Sequence, residues 1–312
     1  MPRTIDIAVP DLSGTLALVT GASDGVGLQI AARLARAGAE IIMPVRSAQK
    51  GDQAARRIRE MTSGARIAVR QLDLASLASV DALSAELLAD GRPIGILANN
   101  AGVMTPPTRQ VTVDGLELQL ATNHLGHFAL TTALLPLLRA GRARVVSQIS
   151  VAADQNAVNW DDINWEADYD GMRAYSSSKI ALGLFAMELH RRSEREGWGI
   201  RSNLSHPGVT PTNLLAAQPG MGRPRDTGAL RLIRGMSRLG VLGTPESAAL
   251  SAVYAATSPD AVGGRLYGPK RFGHLSGPPA EQALYSRLES QADGARIWDV
   301  SDRLLAAHAA KG

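Results

Sequence analysis

The sequence predicts an α/β fold: one doubly wound, mainly parallel sheet of seven strands with helices on both faces. Three observations lead there. Short apolar runs alternate with longer amphipathic segments at intervals of about 25 residues, the pattern of parallel strands joined by crossover helices. A glycine-rich turn, TGASDGVG at 20–27, joins the first apolar run to the first amphipathic segment. At 312 residues and 45% hydrophobic, the chain can bury the core of one large domain, so a single domain over 1–312 is expected.

Each element follows from its local pattern. TLALVT (15–20) reads as a buried strand and GLQIAARLARAG (27–38) as a helix closing on Gly38. EIIMPV (40–45) is the second strand, followed by a helix at 48–61, a strand at 66–72 and a helix at 76–90 begun by a serine cap. IGILAN (94–99) is the fourth strand, and a long helical region runs from about Asp114 to Arg139. ARVVSQI (143–149), a helix from about Arg173 to Glu196, and IRSNLS (200–205) continue the alternation. In TPESAALSAVYAAT (244–257) Thr244 is the N-cap and Pro245 the first helical residue. GRLYG (264–268) is the last strand, and the tail from about Pro278 to Leu305 reads as helix-forming. Three segments interrupt the rhythm: 152–172, a Gly/Pro/Arg-rich stretch at 207–240, and the tail after Lys270.

Composition narrows the function. Lys plus Arg number 33 against 29 Asp plus Glu, and aromatic residues are 4%, so a nucleic-acid surface is not indicated. Cysteine is absent, which removes disulfides, thiolate nucleophiles and Cys-ligated metal. The N-terminus lacks the apolar run of a signal peptide and no segment approaches about 18 uninterrupted apolar residues, so a cytoplasmic protein without an integral membrane segment is expected.

In TGASDGVG, Gly21, Gly25 and Gly27 let backbone approach a pyrophosphate whose charge faces a helix N-terminus, with Ser23, Asp24 and Val26 between them. Asp73, followed by Leu74, either accepts from an adenine amine or caps the next helix. At the end of the second strand, Arg46 and Ser47 stand where an acidic residue would bind a ribose diol. An arginine suits a phosphate better, which favours NADP(H) and leaves NAD(H) open; Asp24 opposes this with its negative charge. Tyr175 and Lys179, four apart in AYSSSK, share a helix face, and an ammonium beside a phenol favours phenolate, a usable base. His124 and His127 lie three apart but lack a third ligand nearby, so no metal is expected and helix packing is the plainer reading.

TGASDGVG, NNAG (99–102), Asn123, Ser150 and YSSSK occur in the order and spacing that resemble the short-chain dehydrogenase/reductase family, over residues 15 to about 270. TNHLGHFALT (122–131) and ARIWDVSDRL near the end are similar to its retinol-dehydrogenase-like branch. The resemblance implies a Rossmann-type fold and the interconversion of a carbonyl and an alcohol on a lipophilic small molecule. It implies Tyr175 as the proton-exchanging residue, Ser150 on the reacting oxygen with Ser147 as a deeper rival, and Lys179 on the nicotinamide ribose. Asn123 would hold a water linked to the lysine, while Asn99, Ala101 and Gly102 line the adenosine and ribose side. Pro207, Gly208 and Val209 would meet the carboxamide and Thr212 the phosphates. A homodimer or homotetramer is the family expectation.

The sequence departs from compact members in the 24 residues between Ser150 and Tyr175, expected to wall the substrate pocket, and in five arginines with one acid between Arg223 and Arg238. A non-catalytic sensor or scaffold of the same fold is the alternative; the retained Tyr and Lys speak against it. A protochlorophyllide-reductase-like reading would need a cysteine donor that the chain lacks.

Overall fold

The computed structural model describes residues 6–208, 242–271 and 274–310. Its central strands are short and buried on both faces, as parallel strands between helical layers must be, while the edge strand Ile67–Gln71 is half-buried. β1 is Leu16–Val19, β2 Glu40–Val45, β3 Ile67–Gln71 and β4 Ile96–Asn99. β5 is Arg144–Gln148, β6 Arg201–Ser205, β7 Leu266–Arg271 and β8 Ser276–Gln282.

Among the described residues they form one eight-stranded sheet in the order β3-β2-β1-β4-β5-β6-β7-β8, parallel except for the antiparallel β7–β8 pair. The chain passes from β1 outward to β2 and β3, then crosses back to β4 on the other side. The loops diverge there and leave a crevice over the carboxyl ends of the strands.

Strand alternation distributes the core to two layers. Leu16, Leu18, Leu97 and Val145 face one apolar cluster, while Ala17, Val19, Ile96, Ala98 and Val146 face the other. The second cluster is closed by α1 (Gly25–Arg36), α2 (Ala48–Met61) and α8 (Pro245–Thr257). The first is closed by α3 (Leu77–Asp90), α5 (Gly126–Ala133), α7 (Gly171–Glu196) and α9 (Gln291–Ala309). Thr244 caps α8 in a capping box with Ser247 and Pro245 follows it, as the sequence predicts. No described helix is long and apolar enough to cross a membrane.

Two expectations are corrected. The sheet has eight strands where seven were expected, because SGPPAEQ (276–282) within the supposed helical tail pairs antiparallel with β7. Two prolines argue against a strand interior, but β8 lies at the sheet edge, where missing N–H groups cost little. Helix resumes only at Gln291.

The long helix expected over 114–139 is also broken into pieces. α4 (Leu118–Leu120) starts where the Glu117 carboxylate accepts from Leu120 N at 2.7 Å. Residues 121–125 form a wider π-type turn before α5. A break at Leu134 separates α5 from α6 (Leu135–Ala140), whose second residue is Pro136 and cannot donate a backbone hydrogen bond.

α7 begins at Asp170, whose carboxylate accepts from Met172 N and Arg173 N, and ends at Gly197 in the left-handed region at φ +64°. Its residues 174–189 are all buried. Much of that cover comes from α9, which inserts Trp298 against Phe128 and Phe185 with ring centroids 5.2 and 5.6 Å apart. The Arg192 guanidinium lies over the Trp298 ring at 4.1 Å.

Candidate active site

A cavity of about 580 Å³ opens over the carboxyl ends of the central strands. The β1–α1 turn supplies its floor: Gly21, Ser23, Asp24, Gly25, Val26 and Gly27 all line it. Gly27 must be glycine, since a Cβ there would lie 2.3 Å from the Gly21 carbonyl oxygen. Gly25, at φ +56°, faces open space where a Cβ would meet no protein atom within 4 Å. Asp24 caps α1, its carboxylate accepting from Gly25 N at 2.7 Å.

Arg46 and Asp73 line the same cavity. Ser47 does not: it is the N-cap of α2, accepting from Lys50 N. Asp73 accepts from Ala75 N at 2.9 Å in a local turn, and the residue capping α3 is Ser76. The capping alternative for Asp73 is therefore corrected. Leu74 lines the cavity and its carbonyl touches α5, where a Cβ on Gly126 would approach to 2.4 Å.

In NNAG the second asparagine, not the first, reaches the cavity. Asn99 is fully buried and donates to Thr131 Oγ1 at 3.1 Å. Asn100, Ala101 and Gly102 line the wall, with Asn100 Nδ2 donating to Thr20 O at 2.9 Å.

β5 and α7 bring Ser150, Tyr175 and Lys179 to one cavity. Ser150 follows β5 and caps a 3₁₀ turn at Val151–Asp154, accepting from Ala152 N at 3.2 Å. Ser147, the rival, is fully buried in β5. Ser150, Tyr175 and Lys179 all line the cavity. Burial pushes the Tyr175 phenol up to about 12, and the neighbouring Ser150 hydroxyl counters part of the rise. Burial pulls the Lys179 ammonium down to about 8.

The Lys179 Nζ donates to the Gln148 carbonyl at 3.0 Å. Gln148 holds this corner: its side chain donates to Asn100 Oδ1 at 3.2 Å and accepts from Ser205 Oγ at 2.8 Å. Sequence reasoning missed Gln148, although a polar residue inside an apolar strand was a usable signal. Thr20, Asn100, Met104 and Thr122 were missed as well.

Asn123 sits in the π-type turn just behind the cavity wall. Its side chain accepts from Val103 N at 2.8 Å and donates to Val103 O at 3.0 Å and Ser178 Oγ at 2.9 Å. Gly102 allows the close approach: a Cβ there would lie 3.0 Å from Asn123 Oδ1 and 3.3 Å from Lys179 Nζ.

His124 in this turn and His127 at the start of α5 are fully buried, and burial lowers each to about 3, so both are neutral at ordinary pH. His127 Nδ1 is 3.1 Å from the Asn123 carbonyl, which can only accept, so that nitrogen carries the proton and Nε2 accepts from the Thr20 hydroxyl at 2.9 Å. His124 is the opposite tautomer. Ser301 donates to Ile297 O, so its oxygen accepts from His124 Nε2 at 2.7 Å.

Pro207 and Gly208 line the cavity after β6; Val209, Thr212 and the arginines between Arg223 and Arg238 lie outside the described residues. Of the 24 residues between Ser150 and Tyr175 only Val151 lines the cavity, so the expected pocket wall is not formed by the segment 152–172. Its body is pinned elsewhere: Arg109 donates to Asn164 O, Arg296 lies over Trp160 at 4.3 Å and Arg173 over Trp165 at 5.4 Å.

A cavity that joins a glycine-rich helix N-terminus to a Ser–Tyr–Lys corner matches one family. The short chain dehydrogenase family model covers residues 15–220. The chain belongs to the short-chain dehydrogenase family. Its relatives extend the likeness over nearly the whole length. Mouse retinol dehydrogenase 14 is 35% identical over 94% of this chain and 86% of its own. Human retinol dehydrogenase 13 is 36% identical over 94% and 85%, and mouse polyprenol dehydrogenase 37% over 93% and 85%. The branch resemblance carried by TNHLGHFALT is thereby borne out.

Among solved structures, an uncharacterized protein from Mycobacterium Paratuberculosis superposes with a TM-score of 0.76 at 33% identity, covering 95% of both chains. The Pseudomonas aeruginosa RhlG/NADP active-site complex gives 0.63 at 28% identity, covering 82% of this chain and 94% of that one. As a short-chain dehydrogenase, the protein is an NAD(P)-dependent oxidoreductase acting on CH–OH groups. The residues present fit such a dinucleotide. The open space before Gly25, at the first turn of α1, leaves room for a phosphate against backbone N–H groups, and the cavity runs on from there to Lys179.

Proposed function

We propose that the protein interconverts a carbonyl and an alcohol on a lipophilic small molecule, prefers NADP(H), and uses Tyr175 as its acid and base. The observation that carries this reading is that Ser150, Tyr175 and Lys179 share one cavity with the glycine-rich turn. A bound nicotinamide dinucleotide supplies the two electrons for carbonyl reduction and takes them up in alcohol oxidation. Gly21 to Gly27 would hold its pyrophosphate, Ala101 and Gly102 its ribose side, Lys179 its nicotinamide ribose, and Pro207 with Gly208 its carboxamide end.

The chain's own groups handle the oxygen and the proton. Ser150 Oγ donates a hydrogen bond to the substrate oxygen and fixes its place beside Tyr175. Tyr175 then gives up its phenolic proton to that oxygen in reduction, or takes a proton in oxidation. A phenol pushed up to about 12 is a poor acid, so the ammonium of Lys179 must remain charged beside it to stabilise the phenolate. Asn123 braces Val103 and Ser178, and so holds the wall next to the lysine.

Arg46 supports the NADP(H) preference. It is exposed at the cavity, and among the described residues it forms no ion pair, so its guanidinium is available to a phosphate. The Asp24 carboxylate is engaged with the first N–H of α1, where the helix dipole offsets its charge. Met104, Ile149 and Val151 give the cavity apolar wall, which supports a lipophilic substrate.

Binding of NADPH and NADH, followed by nicotinamide fluorescence in the wild type and Arg46→Asp, tests the reading. We expect NADPH to bind at least about tenfold more tightly and the substitution to abolish that margin, a change of about 1.4 kcal/mol. Equal affinities in the wild type would remove the NADP(H) preference, and binding of neither nucleotide would remove the whole assignment.

A further inference from the structure

β8, absent from the sequence-based topology, ends beside the residue that leaves β6. His206 is fully buried, its N–H donates to the Tyr267 carbonyl of β7 at 3.0 Å, and its ring stands 6.2 Å from that of Tyr285. Among the described residues the ring has two polar partners. Nε2 lies 2.8 Å from Gln282 Oε1 of β8, and Nδ1 lies 3.2 Å from the backbone N–H of Gly208.

The hydrogens can be assigned. The Gln282 amide nitrogen donates to the Pro269 carbonyl at 3.0 Å, which fixes Oε1 as the atom turned to the ring. A carbonyl oxygen only accepts, so His206 Nε2 carries the proton. Burial lowers the ring's pKa, which keeps it neutral. Nδ1 is therefore a bare acceptor, and Gly208 donates to it.

The surroundings are cut to this arrangement. A Cβ on Gly268 would lie 2.1 Å from His206 Nε2, so only glycine admits the ring. Gly208 takes φ +70°, and a Cβ there would lie 2.3 Å from Leu275 O, so the turn rests directly on the β7–β8 connection. Pro207 and Gly208, held in this way, line the cavity.

We propose that His206 is a positioning residue for dinucleotide binding: Gln282 fixes its tautomer, and its Nδ1 holds the Gly208 N–H so that the Pro207–Gly208 turn is set before the nucleotide arrives. The proposal rests on the reading of the cavity as a dinucleotide site and deepens it. His206 acts through the turn and touches no reacting atom.

Two substitutions separate the ring's two edges. In His206→Asn, Oδ1 can replace Nδ1 as acceptor for Gly208; in His206→Gln, the side chain reaches toward Gln282 and leaves Gly208 without an acceptor. Gln282→Met, on β8 outside the cavity lining, removes the tautomer lock and leaves the ring in place. The readouts are NADPH affinity by fluorescence titration, kcat and KM for NADPH, and the melting temperature.

Affinity should stay within about threefold in His206→Asn and fall by about tenfold or more in His206→Gln, with kcat at saturating nucleotide nearly unchanged in both. Gln282→Met should weaken binding by roughly three- to tenfold. Equal affinities in the two His206 variants, or wild-type affinity in a folded Gln282→Met, would overturn the proposal. Failure of the wild type to bind NADPH at all would overturn it together with the cavity assignment, a result distinct from these.

Discussion

Lys179 is an ammonium held where water scarcely reaches, and the protein carries a stability cost for holding it. Its folded pKa is pulled to about 8 from an ordinary 10.5, so between those values the unfolded chain binds the more protons. Stability therefore rises with pH through that window, and below about 8 the full cost of the buried charge is present. Lys179→Met should accordingly raise the melting temperature at pH 7, by roughly 2–3 kcal/mol of stability, while weakening dinucleotide binding. A lower melting temperature for a folded variant would show that the ammonium stabilises the apo protein after all. Tyr175 has the opposite sign: its phenol is raised to about 12, so stability falls as pH climbs above the ordinary value of 10. Both signs follow from burial, but only the lysine costs stability at neutral pH, where the phenol is uncharged in the folded and the unfolded chain alike.

The elements differ in how far their sequence announces them. β2, read as 40–45, and α2, read as 48–61, have the bounds that their apolar period indicates, although Ser47, expected at the cofactor, caps α2 instead. Tyr175 and Lys179 fall on one helix face, as their spacing says, whereas Ser150 was singled out by the family resemblance; all three line the cavity. β8 was not, because Gly277, Pro278 and Pro279 deny it strand propensity and only pairing with β7 makes it a strand. Asn100 was missed for a related reason: its contacts with Gln148 of β5 and with Thr20 of the β1–α1 turn join segments that no single stretch displays, whereas Gln148 itself stood out as a polar residue in an apolar strand. α9 shows the same dependence on tertiary contact. Its Trp298 fills the space between Phe128 and Phe185, and its Ser301 fixes His124 next to Asn123. Trp298→Ala should cost about 3–5 kcal/mol in urea unfolding, the range for emptying a buried aromatic site. A cost below roughly 1 kcal/mol would mean that α9 is dispensable cover.

At the scale of the whole molecule, the order β3-β2-β1-β4-β5-β6-β7-β8 decides where chemistry can occur. The divergence between β1 and β4 opens the crevice; the β1–α1 turn lines the end proposed for the phosphates, and β5 with α7 places Ser150, Tyr175 and Lys179 at the other. The alternation of strand and helix made this plan readable from the sequence, whereas the depth of the cavity and its apolar wall depend on residues that meet only on folding. The central claim is that Tyr175 moves the proton in a cavity that binds the dinucleotide independently of it. The most direct test is NADPH consumption by wild type and Tyr175→Phe across a panel of lipophilic aldehydes and ketones, with NADPH affinity measured on the same preparations. We predict turnover in the wild type, a loss of about 10²-fold or more in the variant, and affinity within about threefold. Full turnover by Tyr175→Phe, or wild-type protein that binds NADPH and reduces nothing in the panel, would contradict the account.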